Sequence, residues 1–201
     1  QLVVLNTAPT LTAITNRIVN EQTLLSLTAS ATDQDLPAQT LTYSLDIAPA
    51  GMTINALSGQ INWTPTEAQG PGDYNVTVRV TDNGTPALAH TTSFSVTVNE
   101  VNTAPQLVLP VAPTVNELVE LAFTVNGTDS DLPVNPLTYA MLSGPTGATF
   151  NPATREFRWT PTEAQGPTNV TATFRVTDSN PNAVNAQQLS ATNSVAITVN
   201  E

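Results

Sequence analysis

A spacing of 96 residues runs through the chain and divides it into two copies of one unit. Asn6-Thr7-Ala8-Pro9 returns as Asn102-Thr103-Ala104-Pro105, Glu21 as Glu117, Trp63 as Trp159, and Arg79-Val80-Thr81-Asp82 as Arg175-Val176-Thr177-Asp178. The octapeptide Thr64-Pro65-Thr66-Glu67-Ala68-Gln69-Gly70-Pro71 recurs unchanged at 160–167. Near the end the spacing slips to 101, where Val96-Thr97-Val98-Asn99-Glu100 matches Ile197-Thr198-Val199-Asn200-Glu201. The second copy therefore carries a five-residue insertion. A fixed period of domain size signals an array, and each copy is long enough to bury a core of its own. We read the 201 residues as two tandem domains, 1–101 and 102–201.

Composition narrows the function classes. With 40% hydrophobic residues the chain is globular despite its 16 prolines. It has no cysteine, which excludes disulfides and thiol chemistry. All five basic residues are arginine, so lysine crosslinks and lysine catalysis are excluded too. Sixteen acids against five arginines leave a net charge of −11, which argues against nucleic acid or an anionic membrane as partner and favours cations. No apolar run reaches membrane-spanning length and no signal peptide is visible, so we expect no membrane insertion and a mature or excised segment.

The dominant periodicity is two. Leu25, Leu27, Ala29 and Ala31 share one parity; Tyr74, Val76, Val78 and Val80 share another, with Asn75, Thr77, Arg79 and Thr81 between them. Copy two repeats this in Leu121, Phe123, Val125 and in Val170, Ala172, Phe174, Val176. Such alternation marks strands with one buried face. Seven strands are predicted in the first copy, near 10–18, 23–31, 41–46, 52–54, 60–63, 73–81 and 89–98, with no helix. The fold class that follows is all-β: two tandem seven-stranded Greek-key β-sandwiches of immunoglobulin-like architecture. Trp63 and Trp159 are expected to fill the cores.

Alternating strand directions sort the acids to two poles. The turns holding Glu21 and Glu67, and the segment at Glu100, fall at one end of the first sandwich; Asp33, Asp35 and Asp82 fall at the other. The second copy places Glu117, Glu163 and Glu201 at its first kind of pole and Asp129, Asp131 and Asp178 at its second. These sets take 12 of the 16 acids. The seam at Glu100-Val101-Asn102 is then expected to gather six carboxylates: Glu21, Glu67, Glu100, Asp129, Asp131 and Asp178. Like charges so close disfavour mutual ionisation, and a hard divalent cation relieves them. Oxygen ligands from several loops, without His or Cys, point to Ca²⁺.

Both copies resemble cadherin-type repeats, more closely the bacterial cadherin-like and dystroglycan-type cadherin-like modules. The resemblance rests on an acid after the first strand (Glu21), an Asp-x-Asp loop (Asp33-Gln34-Asp35), an acid before the sixth strand (Glu67), the loop Asp82-Asn83-Gly84-Thr85-Pro86 and the linker Glu100-Val101-Asn102. It implies calcium between successive repeats, with Glu21, Glu67 and Glu100 as ligands from the first, Asn102 from the linker, and Asp129, Asp131 and Asp178 from the second. Two departures stand out: the linker's second acid falls on Thr103, and the second copy reads Asp178-Ser179-Asn180-Pro181. One or two ions are expected rather than three. The outer sets, Asp33, Asp35, Asp82 and Glu117, Glu163, Glu201, are half-sites that bind weakly; Asp33 or Asp35 could equally serve as turn residues bonding their own backbone.

The function expected is that of a non-enzymatic structural or adhesive segment in an extracellular, cell-surface array of bacterial type, stiffened by Ca²⁺. Its partners are neighbouring repeats, and a homophilic, glycan or surface-protein ligand. Competing readings are a glycan- or peptide-binding module, and a filament subunit pairing through Gln1-Leu2-Val3-Val4-Leu5. A glycosidase-like pair of Glu67 and Asp129 lacks a cleft. Asn62, Asn75, Asn83, Asn126 and Asn169 each begin an Asn-x-Thr sequon.

Overall fold

Alternating apolar side chains become the inner faces of paired sheets in both repeats. The computed structural model describes residues 5–201, so the expectation of strand exchange through the first five residues rests mainly on positions outside those described. Packing divides the chain into two compact units, Gln1–Glu100 and Val101–Glu201.

In the first unit the strand segments are β1 (Thr10–Leu11), β2 (Arg17–Asn20), β3 (Leu25–Thr28), β4 (Ala31–Thr32), β5 (Thr42–Ile47), β6 (Thr53–Ile54), β7 (Gln60–Trp63), β8 (Gly72–Thr81) and β9 (Ala89–Asn99). One sheet has the order β2-β9-β8-β5 and the facing one β3-β7-β6, with a short β1-β4 pair beside it. Val76, Val78, Val80, Val96 and Val98 of β8 and β9 pack against Ile61 and Trp63 of β7, all at 0 or 1% exposure. Asn75, Thr77, Arg79 and Thr81 lie between them on the wetter face. Trp63 donates its indole N–H to the Ala50 carbonyl at 3.1 Å, so its one polar atom is satisfied inside. Trp159 does the same with Thr146, also at 3.1 Å. Both tryptophans are core residues rather than surface platforms.

The second unit repeats this plan with β10 (Gln106–Val108), β11 (Thr114–Asn116), β12 (Leu121–Thr124), β13 (Asn126–Thr128), β14 (Thr138–Ser143), β15 (Thr149–Asn151), β16 (Glu156–Trp159), β17 (Thr168–Thr177) and β18 (Ser190–Asn200). Its sheets are β11-β18-β17-β14, β12-β16-β15 and β10-β13. Where the first unit has Leu27, Ile54, Ile61 and Val78, the second has Phe123, Phe150, Phe157 and Phe174. These four rings meet, with centroids 4.6 to 6.0 Å apart. Bulk added at four separate positions therefore fills one continuous volume.

Two features refine the sequence reading. The predicted first strand, 10–18, is interrupted: β1 pairs antiparallel with β4, then the chain crosses over and β2 pairs parallel with β9. Thr12 N–H still donates to the Ser30 carbonyl at 2.8 Å as the chain leaves the first pairing. In addition, single 3-10 turns occur at Glu67–Gln69 and Glu163–Gln165. No helix among the described residues is long and apolar enough to cross a membrane.

Candidate metal centre

The crossover of the first strand is what builds the glutamate pole. Parallel pairing sets Asn20 opposite Asn99, and Glu21 N–H continues the ladder by donating to the Asn99 carbonyl at 3.1 Å. Glu21 and Glu100 therefore leave the sheet side by side. Gln22 then turns at φ 56° and donates its N–H to the Pro65 carbonyl at 2.8 Å. That bond ties the turn to the loop whose 3-10 turn begins at Glu67. The three carboxylates converge, each offering an oxygen within 4.8 Å of the others. Glu21 and Glu100 are 3% and 0% exposed; Glu67 is half-buried and accepts a hydrogen bond from the Gln22 amide.

Gly70 makes this approach possible. A Cβ built on it would stand 2.1 Å from Glu21 Oε2. Gly166 stands in the same relation to Glu117 Oε1, at 2.2 Å. The identical octapeptides thus provide a notch for the carboxylate as well as an acid.

The second unit is wired alike. Asn116 lies opposite Asn200, Glu117 N–H donates to the Asn200 carbonyl at 3.0 Å, and Leu118, at φ 61°, donates to Pro161 at 2.9 Å. Burial, then the charges of Glu163 and Glu201, raise the Glu117 carboxyl above its ordinary range.

The aspartate pole of the second unit is built by hydrogen bonds that use one oxygen of each side chain and leave another. Asp129 Oδ1 accepts from Asp131 N–H at 3.0 Å, an Asx turn. Asp178 Oδ1 accepts from Leu189 N–H at 2.7 Å and from the Asn102 amide at 3.0 Å. The Asn102 amide also donates to the Ala186 carbonyl at 2.9 Å. Asn102 Oδ1, Asp129 Oδ2 and Asp178 Oδ2 are then buried acceptors that no donor among the described residues reaches. Burial, with the charges of Asp131 and Asp178 adding to it, raises the Asp129 carboxyl above its ordinary range, although backbone N–H bonds act the other way. Asp131 differs. It is 1% exposed and both its oxygens accept, from Thr103 N–H at 3.0 and 3.1 Å and from the Asn135 amide at 2.9 Å. Its first task is to hold the linker.

The five-residue insertion lies in the loop between Asp178 and Ser190 and reaches the same place. Asn185 accepts from Asn102 N–H at 2.9 Å and donates to the Asn102 carbonyl at 2.9 Å. Asn180, 2% exposed, donates to Asp131 at 3.4 Å. These contacts, with Asn135 and the two glycines, are the site residues that the sequence reading missed. For Asn185 the insertion was the visible signal.

In the first unit Asp33 Oδ1 accepts from Asp35 N–H at 2.9 Å, the same turn. Asp35 accepts from Thr7 N–H and hydroxyl, each at 2.8 Å. Asp82 is 4% exposed. Burial works to raise its carboxyl, but the N–H groups of Leu88 and Gly84 and the Asn6 amide outweigh that and hold it below the ordinary range. Acids outside the poles have other uses: Asp46 pairs with Arg79, and Glu120 and Glu156 with Arg158.

The arrangement fits a hard cation. The glutamate pole offers carboxylate oxygens, with glycine clearing the space beside Glu21; the aspartate pole of the second unit, taken by itself, offers carboxylate and amide oxygens, of which Asn102 Oδ1, Asp129 Oδ2 and Asp178 Oδ2 are buried with no donor among the described residues. Residues 8–99 and 104–200 each match the family described as Putative Ig domain. The chain belongs to that Ig-domain family. No curated protein sequence matches this Ig-domain chain. Solved structures do. It is similar to human Protocadherin-24 EC1-2 (Form II; TM-score 0.57, 17% identity, 98% of this chain and 100% of that one). It is also similar to mouse Cadherin-23 EC22-24 (TM-score 0.56, 21% identity, 96% and 67%) and to the Protocadherin gammaB7 EC3-6 cis-dimer structure (0.51, 20%, 95% and 51%). The chain spans only 34% of the Protocadherin GammaB4 extracellular domain and 52% of Protocadherin Gamma B2 domains 3-6. At such identities the likeness establishes the fold: tandem cadherin-like, Ig-like sandwich modules.

Proposed function

We propose that the chain is a non-enzymatic structural or adhesive segment of an extracellular repeat array, in which the two poles flanking Val101 hold Ca²⁺ jointly and so stiffen the junction. The observation that carries this is the convergence of Glu21, Glu67 and Glu100 oxygens within 4.8 Å, two of the three side chains being buried. Each carboxylate pair at about 4 Å repels by roughly 1 kcal/mol in water and about 4 kcal/mol at an effective dielectric of 20. A fold that holds three such groups together is suited to a cation. Loop-borne oxygens of mixed carboxylate and amide type suit Ca²⁺ better than Mg²⁺, which demands near-octahedral geometry and keeps its water.

The joint reading rests on the chain itself. Glu100 closes one ligand set and Asn102 opens the other, so two Cα–Cα steps, at most about 7.6 Å, connect them. On this reading Glu21, Glu67 and Glu100 supply carboxylates from the first repeat. Asn102 supplies its amide oxygen, and Asp129 and Asp178 supply their donor-free oxygens from the second. Asp131 contributes a carboxylate while anchoring Thr103. Ca²⁺, when bound, supplies the positive charge that lets these groups stay ionised together. Asp33, Asp35 and Asp82, with Glu117, Glu163 and Glu201, form the weaker outer sets. Extracellular modules of this type bind Ca²⁺ at about 10⁻⁴–10⁻³ M, which fits a cell-surface location and not the cytosol. A glycan-binding module draws no support here, because every Trp, Tyr and Phe is buried or half-buried.

Calorimetric titration with CaCl₂ of the wild type, Glu21→Gln and Asp178→Asn tests the reading. Both substitutions should weaken the same binding event about tenfold or more, although they lie in different repeats. If each weakens a separate event, the site is not shared. If the wild type takes up no Ca²⁺ at about 1 mM, the calcium reading fails.

A further inference from the structure

The two aspartate poles are the same motif 96 residues apart, yet their oxygens are used differently. Asn135 of the second unit corresponds to Gln39 of the first, which is one methylene longer. That extra length carries the Gln39 amide to both Asp35 Oδ2, at 3.1 Å, and Asn6 Oδ1. Asn6 is the counterpart of Asn102. Asn135 donates to Asp131 Oδ2 at 2.9 Å, and Asn102 Oδ1 remains a buried acceptor that no donor among the described residues reaches. A second difference accompanies the first. Asn6 turns its own amide onto Asp82 Oδ2, at 3.1 Å, whereas Asn102 donates to the oxygen of Asp178 that Leu189 already uses. The three oxygens kept donor-free in the second unit are Asn102 Oδ1, Asp129 Oδ2 and Asp178 Oδ2. Of their counterparts, Asn6 Oδ1 and Asp82 Oδ2 are hydrogen-bonded and only Asp33 Oδ2 is not.

We propose that the residue at position 39 or 135 decides how strongly each aspartate pole takes a divalent cation. Gln39 acts as an internal amide plug on the first pole, and Asn135 leaves the second open. This rests on the calcium reading above. An N–H donor takes one of the two lone pairs on an amide or carboxylate oxygen and sets positive partial charge beside the other, so an oxygen that accepts from an amide is a poorer cation ligand than one left donor-free. Gln39 makes two such bonds. Its own Oε1 faces inward without a donor, so the plug offers one weak ligand in return for two it occupies.

The test is a CaCl₂ titration of the full chain by calorimetry, comparing the wild type with Asn135→Gln, Gln39→Asn and the double swap. Circular dichroism melts in chelator accompany each variant to confirm the fold. Asn135→Gln should weaken the tightest Ca²⁺ event about tenfold, what one net hydrogen bond is worth. Gln39→Asn should tighten a weaker event by a similar factor and leave the tightest one unchanged. A folded Asn135→Gln with wild-type affinity, or a folded Gln39→Asn with no change in the weaker event, overturns the proposal while the calcium reading stands. A wild type that takes up no Ca²⁺ overturns the calcium reading and this proposal with it.

Discussion

Gly70 is glycine because Glu21 occupies the space a side chain would need. Its backbone is extended, at φ −108° and ψ 148°, so alanine fits the chain path and meets first the Glu21 side chain. Gly70→Ala should therefore fold, cost about 1–3 kcal/mol by overpacking, and weaken Ca²⁺ affinity at least tenfold in a calorimetric titration. The titrating side chains give a pH dependence with a definite sign. Glu117 and Asp129 are raised above their ordinary range, burial being the largest cause in each. A carboxyl raised by folding contributes stability that is complete below its ordinary pKa and lost as pH climbs through the raised value. In chelator the melting temperature should thus rise as pH falls from 7 toward about 5. With Ca²⁺ the trend should reverse, because protons then displace the cation. Asp82 is lowered by its N–H and amide donors despite its burial, so its contribution disappears on further acidification below about pH 4. The acids of both poles were legible as loop residues of matching parity. Gly70, Gln39 and Asn135 were not, because their parts depend on which atom a neighbour presents, and residue type alone does not carry that.

At the scale of elements, the parallel crossover of the first strand is the device on which the glutamate pole depends. Alternation read residues 10–18 as one strand, since period two is blind to a switch of partner. The turn that follows holds Gln22 and Leu118 at φ 56° and 61°, where a side chain costs about 1–2 kcal/mol. Leu118 is 67% exposed and loses little packing when replaced. Asn tolerates this backbone region, so Leu118→Asn should raise stability by about 0.5–1 kcal/mol in a urea titration. An unchanged or lowered midpoint would mean the turn is not strained there. The core strands were read with fewer surprises. The rows Val76, Val78, Val80 and Ala172, Phe174, Val176 are all 0% exposed, as one parity of an alternating strand should be. Trp63→Ala, at a side chain 1% exposed, should cost about 3–5 kcal/mol and melt the first unit well below the second.

At the scale of the whole molecule, the chain divides at Glu100–Val101 into two units that each hold their own core. Small polar junctions leave neighbouring domains free to move unless something ties them. The tie proposed here is ionic, so it should be removable without unfolding either sandwich. Chelation should leave far-ultraviolet circular dichroism unchanged while the units gain freedom. Small-angle X-ray scattering on the wild type, in about 1 mM Ca²⁺ and then in excess chelator, measures this most directly. We expect a narrow distribution of maximum dimension with Ca²⁺ that broadens on chelation. Superimposable profiles under the two conditions would contradict a calcium-stiffened junction.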